Sequence, residues 1–222
     1  MWGFLCILGG VYSVRILPVL GALSLILAAS QASAQAFSYT FDTTNQGWRR
    51  ADFSPTTMVL TDLGPATWNS GGFIDADDFS GYAFHVSPLL TGNYAGATSI
   101  SFDHSTQVTG TLLPFLVLTN GSEAIYREEA PTGGGAYAHY NYSLTDNTGW
   151  KYGNGVNFRN ATQADMANVL AGLTRIGISA DIASGVDYTR VDNVTVVPEP
   201  ASMVALGLGL AAMLRRRSQK AN

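Results

Sequence analysis

The middle of the chain consists of short apolar runs separated by turn-forming residues, and this pattern constrains the fold more than any other feature. Eight alternating or β-branched runs are candidate strands: 37–42, 57–61, 82–86, 98–103, 112–118, 137–144, 175–180 and 188–196. The turn signals are Ser70-Gly71-Gly72, Asn120-Gly121, Gly133-Gly134-Gly135 and Asn154-Gly155. Eight strands in about 160 residues predict an all-β fold, an antiparallel jelly-roll β-sandwich.

One segment departs from the strand pattern and predicts a short helix. Thr162 can cap its N-terminus, with Asp165 at the third position of a capping box. Apolar residues then recur at helical spacing at Met166, Val169, Leu170 and Leu173. We expect this helix to cover an opening of the sandwich.

The charge of the chain is unevenly distributed. The chain has a net charge of −4, but residues 35–197 hold seven Lys and Arg against fifteen Asp and Glu, a net charge of −8. An acidic body argues against nucleic-acid binding, which needs clustered cations. The single cysteine, Cys6, precedes this region, so the body can form no disulfide or thiolate metal site.

Residues 1–34 have the pattern of a secretory signal peptide. Arg15 provides a positive flank, and 16–29 form the apolar stretch. Ala32-Ser33-Ala34 is a small-x-small cleavage site before Gln35, and cleavage after Ala36 is an alternative. We therefore expect export through the Sec translocon.

The C-terminal end has three parts. Val197-Pro198-Glu199-Pro200 is followed by the uncharged segment 201–214 and then by Arg215, Arg216 and Arg217. Fourteen helical residues span about 21 Å, which is short of a hydrocarbon core of about 30 Å. We expect a short transmembrane helix with a cytoplasmic arginine cluster. The alternative, a buried C-terminal helix, is disfavoured by the three arginines.

This order of motif, apolar span and basic cluster closely resembles the PEP-CTERM sorting signal. The resemblance implies a Gram-negative bacterium, an exosortase-type enzyme that processes the chain near 198–200, and an extracellular polysaccharide. We expect transient anchoring in the inner membrane, and then the cell surface or extracellular matrix as the final location. The predicted organisation is a signal peptide at 1–34, a sandwich domain at 35–197 and a sorting signal at 198–222.

The body also resembles the laminin B (laminin IV) domain of bacterial secreted proteins. The landmarks occur in order over 38–196: Phe41-Asp42, Gly47-Trp48, Gly71-Gly72-Phe73-Ile74, Ser99-Ile100-Ser101-Phe102-Asp103, Gly149-Trp150 and Val191-Asp192-Asn193-Val194. The resemblance implies a jelly roll related to carbohydrate-binding modules. It also implies a role in adhesion or matrix architecture rather than catalysis.

Two groups of aspartates are candidate calcium ligands. Asp75 and Asp77 alternate, so on a strand they would share one face, and carboxylate oxygens suit calcium. In a jelly roll, Asp42 and Asp192 would meet where the first and last strands pair. The alternatives are a solvated acidic loop for the first group and turn caps for the second. No other cofactor is predicted.

Exposed aromatic residues are candidate platforms for sugar rings. Trp68, Tyr137 and Tyr152 lie near Asn and Asp residues, a combination that suits carbohydrate. The alternative is that these rings build the sandwich core.

No catalytic residues are predicted. His85, His104 and His139 lack metal-ligand spacing. The adjacent Glu128 and Glu129 would point to opposite faces of a strand and could not flank one glycosidic bond. The favoured function is therefore a non-enzymatic envelope or matrix protein that associates with exopolysaccharide or with envelope proteins. The alternatives are a carbohydrate-binding module of defined specificity and a secreted carbohydrate-active hydrolase.

Overall fold

The computed structural model describes residues 35–77, 82–110, 113–183 and 187–198, without the side chain of Leu113. The predicted signal peptide and the segment 199–222 lie outside these residues. The described strands are β1 (Phe37–Tyr39), β2 (Arg49–Ser54), β3 (Val59–Pro65), β4 (Thr67–Asn69), β5 (Phe73–Asp77), β6 (Ala83–Val86), β7 (Ala97–Thr106), β8 (Leu113–Thr119), β9 (Ala124–Glu129), β10 (Ala138–Ser143), β11 (Trp150–Gly153), β12 (Phe158–Asn160), β13 (Arg175–Ser179) and β14 (Tyr188–Pro198). One helix, α1 (Gln163–Ala171), lies between β12 and β13.

The strands form two antiparallel sheets. Sheet A has the order β10-β7-β14-β5-β4, and β1 also pairs with β14. Sheet B has the order β12-β11-β9-β8-β13-β6-β2-β3. The predicted all-β sandwich is confirmed, and each of the eight predicted runs overlaps a strand. The described residues form fourteen strands, however, and the sequence analysis did not predict β2, β4, β5, β9, β11 and β12.

The main core lies between the sheets. Phe102 and Val191 of sheet A share one buried cluster with Leu116 and Ile176 of sheet B. A second, smaller cluster includes Phe53, Met58, Phe84, Val117, Ala124 and Tyr126, all from sheet B or its connections. Because this cluster is separate from the main core, sheet B carries apolar packing on its outer face as well.

The helix forms as the sequence predicts. The Thr162 hydroxyl accepts a hydrogen bond from the Asp165 N–H at 3.2 Å, and the Asp165 carboxylate accepts one from the Thr162 N–H at 2.7 Å. Met166, Val169 and Leu170 are buried in the main core, and α1 packs against β8 and β9. The predicted turn signals also hold, since Gly121, for example, has a φ of +98° between β8 and β9.

The first and last described strands are neighbours. Phe37 pairs with Val196 and Tyr39 pairs with Val194. Strand β14 continues through Pro198, which pairs with Ala97 of β7. The sheet therefore includes Pro198, which the sequence analysis places in the tail.

Candidate functional site

A groove of about 270 Å³ lies over the β9, β11 and β12 edge of sheet B. We call it the sheet-B groove, and its lining residues are Tyr126, Glu128, Lys151, Phe158, Arg159 and Asn160. Cross-strand pairing builds it, because Lys151 pairs with Tyr126 on one side and with Asn160 on the other. Its volume is near the lower end for small-ligand sites, about 300 Å³, so it suits a short stretch of a larger molecule.

The aromatic ring at one end of the groove is Phe158, which is 50% exposed. Its pairing partner is Gly153, where an added Cβ would lie 2.3 Å from the Met58 methyl carbon. Glycine at this position therefore lets Met58 close over the sheet. The Phe158 ring is therefore exposed on the edge strand β12, while the neighbouring strand β11 is covered by Met58 at Gly153.

The polar groups of the groove offer both donors and acceptors. Lys151 Nζ donates to Asn160 Oδ1 at 3.2 Å, so these two side chains hold each other in place. Burial, with the nearby charge of Glu128, raises the pKa of Tyr126, which keeps its phenol protonated. An ammonium group, an amide, a carboxylate and a phenol beside an exposed ring can bind hydroxyl groups while the ring stacks.

The outer face of sheet A carries a second cluster, which we call the Arg190 patch. The Arg190 guanidinium carbon lies 4.9 Å from the centre of the Phe73 ring and 5.3 Å from that of Tyr188. The Tyr137 ring meets Phe73 edge-on at 6.4 Å. Burial, with the charge of Asp192, raises the pKa of Tyr137 to about 12.

The predicted calcium ligands fall into two places. Asp42 lies close enough to Asp192 for its charge, with burial and the charge of Asp103, to raise the pKa of Asp192. Asp103 also pairs with Asp192 across β7 and β14, so it joins this acidic group. Asn193 Nδ2 donates to Asp103 at 2.8 Å and to Asp192 at 3.2 Å.

The other two aspartates lie on β5, a strand that the sequence analysis did not predict. Asp75 accepts a hydrogen bond from the Tyr188 hydroxyl and one from Asn69 Nδ2 at 3.4 Å, while Asp77 is exposed. Within the described residues, no three Asp, Glu, His or Cys side chains form a group that could hold a metal ion. Calcium binding therefore stays a prediction.

The three predicted stacking residues do not converge. Trp68 pairs with the buried Ile74 and donates its indole N–H to the Phe41 carbonyl at 2.6 Å. Tyr137 belongs to the Arg190 patch. Tyr152 cannot serve as an exposed platform, because it is only 5% exposed and the Arg159 guanidinium covers its ring at 4.4 Å.

The histidines and adjacent glutamates have structural environments. His139 Nδ1 lies 2.7 Å from Asp103 Oδ1 on the surface, whereas His85 and His104 are buried. Glu128 lines the sheet-B groove, and the charge of Glu129 contributes, after burial, to a raised pKa of Tyr142 in the main core. The two carboxylates therefore lie on opposite faces of β9, as predicted.

The sequence analysis predicted none of the lining residues of the groove as binding residues. The spacing of Tyr126 and Glu128, and that of Phe158 and Asn160, is the i, i+2 pattern of one strand face. This signal is weak, because β12 has only three residues and all of them are exposed.

The C-terminal motif has a match among protein families. A model of the PEP-CTERM protein-sorting motif matches residues 196–218, which include the predicted motif and the arginine cluster. The chain thus carries a membrane-anchoring sorting signal that indicates export in a Gram-negative bacterium and processing by an exosortase. Among the described residues, no helix is both long and apolar enough to cross a membrane, and the predicted span 201–214 lies outside them.

The sandwich is similar to solved structures. The L4b domain of human laminin α-2 matches with a TM-score of 0.56 and 17% identity, over 74% of this chain and 98% of that chain. The family 11 carbohydrate-binding module of the cellulosomal cellulase Lic26A-Cel5E of Clostridium thermocellum matches with a TM-score of 0.47 and 11% identity, over 75% of this chain and 96% of that chain. A CBM4 structure matches with a TM-score of 0.42 and 13% identity, over 72% of this chain and 100% of that chain. Comparison with curated proteins gives no match.

The laminin similarity confirms the expected laminin-like sandwich fold. The fold and the motif together define the class of protein, an exported β-sandwich followed by a sorting signal. A fold does not by itself specify a ligand, so the chemistry of the sandwich surface indicates what the protein binds.

Proposed function

We propose that this protein is a non-catalytic component of the cell surface or extracellular matrix that binds exopolysaccharide through the sheet-B groove. The observation that carries the proposal is the exposed Phe158 ring beside the paired Lys151 and Asn160 side chains. A flat ring next to fixed hydrogen-bonding groups is the arrangement that holds a sugar ring by stacking and by its hydroxyls.

The position of the groove suits a polymer. It lies at the β12 edge of sheet B, where no further described strand pairs, so a long chain can enter and leave on the open side. The groove holds only a short stretch of such a chain, because its volume is about 270 Å³. Binding at one such site is weak, and many copies of the protein along one polymer would strengthen it.

The charges of the groove favour binding over hydrolysis. Glycosidases usually use two carboxyl groups about 5–9.5 Å apart. Among the described residues that line the groove, the carboxylate is that of Glu128 alone. The lining cation Lys151 instead suits a polysaccharide that carries acidic groups, whereas the Arg159 guanidinium is already paired with Asp165.

The test is the affinity of the full exported chain for exopolysaccharide purified from the same bacterium, measured by calorimetry together with an array of neutral and acidic glycans. Phe158→Ala should weaken binding about 3- to 10-fold, the usual value of one aromatic contact. Val156→Ala is the matched control, because Val156 is 82% exposed in the same hairpin and does not line the groove. It should leave the affinity unchanged.

Other outcomes would contradict the proposal. Binding that is insensitive to Phe158→Ala but lost in Tyr137→Ala would move the site to the Arg190 patch. No binding to exopolysaccharide or to any glycan would refute the polysaccharide role. Release of new reducing ends from the polymer would show hydrolysis instead.

A further inference from the structure

The two ends of the described sandwich lie side by side. Strand β1 runs antiparallel to β14 with Phe37 opposite Val196, so Gln35 lies near Pro198. The Gln35 N–H donates to the Asn93 carbonyl at 3.1 Å, and Pro198 pairs with Ala97. The site of predicted signal cleavage and the start of the sorting segment therefore flank one loop, residues 87–96.

The tether between the sheet and the predicted membrane span is very short. Only Glu199 and Pro200 separate Pro198 from Ala201, the first residue of the uncharged run. Three Cα–Cα steps of 3.8 Å reach at most about 11 Å. Pro198 itself is fixed, because it pairs with β7 and the preceding Val197 carbonyl accepts a hydrogen bond from Thr98 Oγ1 at 3.1 Å.

We propose that, while the sorting signal is attached, the end of the sandwich formed by loop 87–96, Gln35 and Pro198 lies against the lipid surface of the inner membrane. Because the tether is at most about 11 Å long, this end of the sandwich must stay close to the bilayer surface. The proposal concerns orientation at the membrane and does not depend on the sheet-B groove.

The chemistry of the loop is compatible with a lipid surface. Residues 87–96 contain no charged side chain, and Leu89 is 63% exposed. An acidic loop would be repelled by anionic lipids, whereas an uncharged loop with an exposed leucine can approach the headgroups.

The opposite end of the sandwich provides the contrast. Strand β14 has 11 residues, and its ten steps of about 3.3 Å extend over about 33 Å. Asp77 pairs with Tyr188 at the far end of this strand and is exposed. In the proposed orientation, Asp77 stands about 30 Å further from the bilayer than the loop does.

The test is lipid quenching of a probe on single cysteines in the full chain. The background variant carries Cys6→Ala, and the protein is produced in a Gram-negative host without an exosortase so that the tail is retained. A fluorophore is attached at Thr91→Cys or at the matched Asp77→Cys, and the protein is reconstituted into vesicles with nitroxide-labelled headgroups. Quenching should be roughly threefold or more stronger at Thr91→Cys, because only that position lies near the headgroups.

Each other result counts against the proposal. Equal quenching at both positions, or stronger quenching at Asp77→Cys, would overturn it. Failure of the chain to float with the vesicles would remove its premise, the membrane anchor. A 12-residue Gly/Ser insertion after Pro198, with a mean span of about 20 Å, should abolish the difference. Persistence of the difference would refute the tether as its cause. Because no glycan is present, the result is independent of the proposed function.

Discussion

The two buried histidines predict that the sandwich loses stability in mildly acidic solution. His85 of β6 and His104 of β7 lie inside the sandwich, one from each sheet. His85 Nε2 lies 3.2 Å from Thr189 Oγ1, and His104 Nε2 lies 3.3 Å from the Ser179 carbonyl. Among the described residues, the Nδ1 atom of neither ring has a hydrogen-bond partner, so an added proton there would be unpaired.

The direction of the effect follows from proton binding. Burial, with the neighbouring His104, lowers the pKa of His85 to about 3, and burial lowers the pKa of His104 to about 4. In the unfolded chain both rings titrate near 6.5. As the pH falls below about 6.5, the two histidines therefore bind protons in the unfolded state but not in the folded state. The free energy of unfolding decreases as a result.

The magnitude at pH 5.0 can be worked out from these values. Each histidine contributes about 1.36 kcal/mol per pH unit over about 1.5 units, or about 2 kcal/mol. Two histidines give about 4 kcal/mol, which is a large part of the usual stability of about 5–15 kcal/mol. Between pH 7.5 and 5.0 the two histidines dominate the change, because ordinary Asp and Glu side chains titrate near pH 4 and the pKa of Asp62 is lowered.

The assay is urea unfolding at pH 7.5 and 5.0. The wild type should lose about 4 kcal/mol, and the double variant His85→Gln, His104→Gln should lose almost none of that amount. The His139→Gln variant keeps both buried histidines and is the matched control, so its loss should stay within about 1 kcal/mol of the wild-type loss. Imidazole NMR shifts of the folded wild type provide a check that needs no variant. Titration of both buried rings near pH 6.5, or a wild-type loss below about 1 kcal/mol, would refute the reasoning.

Three further predictions follow from single sites. Since Val197 and Pro198 pair with β7, the intact mass of the native protein should place its C-terminus at or beyond Pro198, and an end before Val197 would contradict this. Thr162→Ala should cost about 1 kcal/mol in urea unfolding while Thr162→Ser keeps most of the stability, and equal stability of Thr162→Ala and wild type would argue against the cap. Calcium at 100 times its dissociation constant should add about 2.7 kcal/mol and raise the melting temperature, and Asp192→Asn should abolish this gain. A melting curve unchanged by a chelator would end the calcium hypothesis.

The sequence by itself determined the elements whose signal is local. Much of β7 and β14 alternates buried and partly exposed residues, and period-two alternation is visible without knowledge of the partner strand. The helix was predictable because Thr162 and Asp165 bond over three residues. The sorting motif was identified by its resemblance to the PEP-CTERM signal, and the family match confirms it, whereas the signal peptide stays a prediction.

Only the tertiary structure decided the strands that lack such a pattern. β2 begins with two arginines, β9 ends with three charged residues, and β12 is three exposed residues long. Their pairing depends on neighbours supplied by the rest of sheet B. Propensity in a strand reflects that environment as much as the residues themselves.

The sites were decided in the same way. Lys151 meets Tyr126, and Asp103 meets Asp192, because strand register brings together residues that are far apart in the chain. Register also buried Tyr152, which the sequence analysis gave as a candidate sugar platform, and exposed Phe158 instead. Composition and periodicity thus indicated an acidic, all-β domain, and the resemblance of the C-terminal end to a known signal identified the sorting segment. Which side chains share a surface was decided by long-range pairing, since only the assembled sheets set the distances between strands.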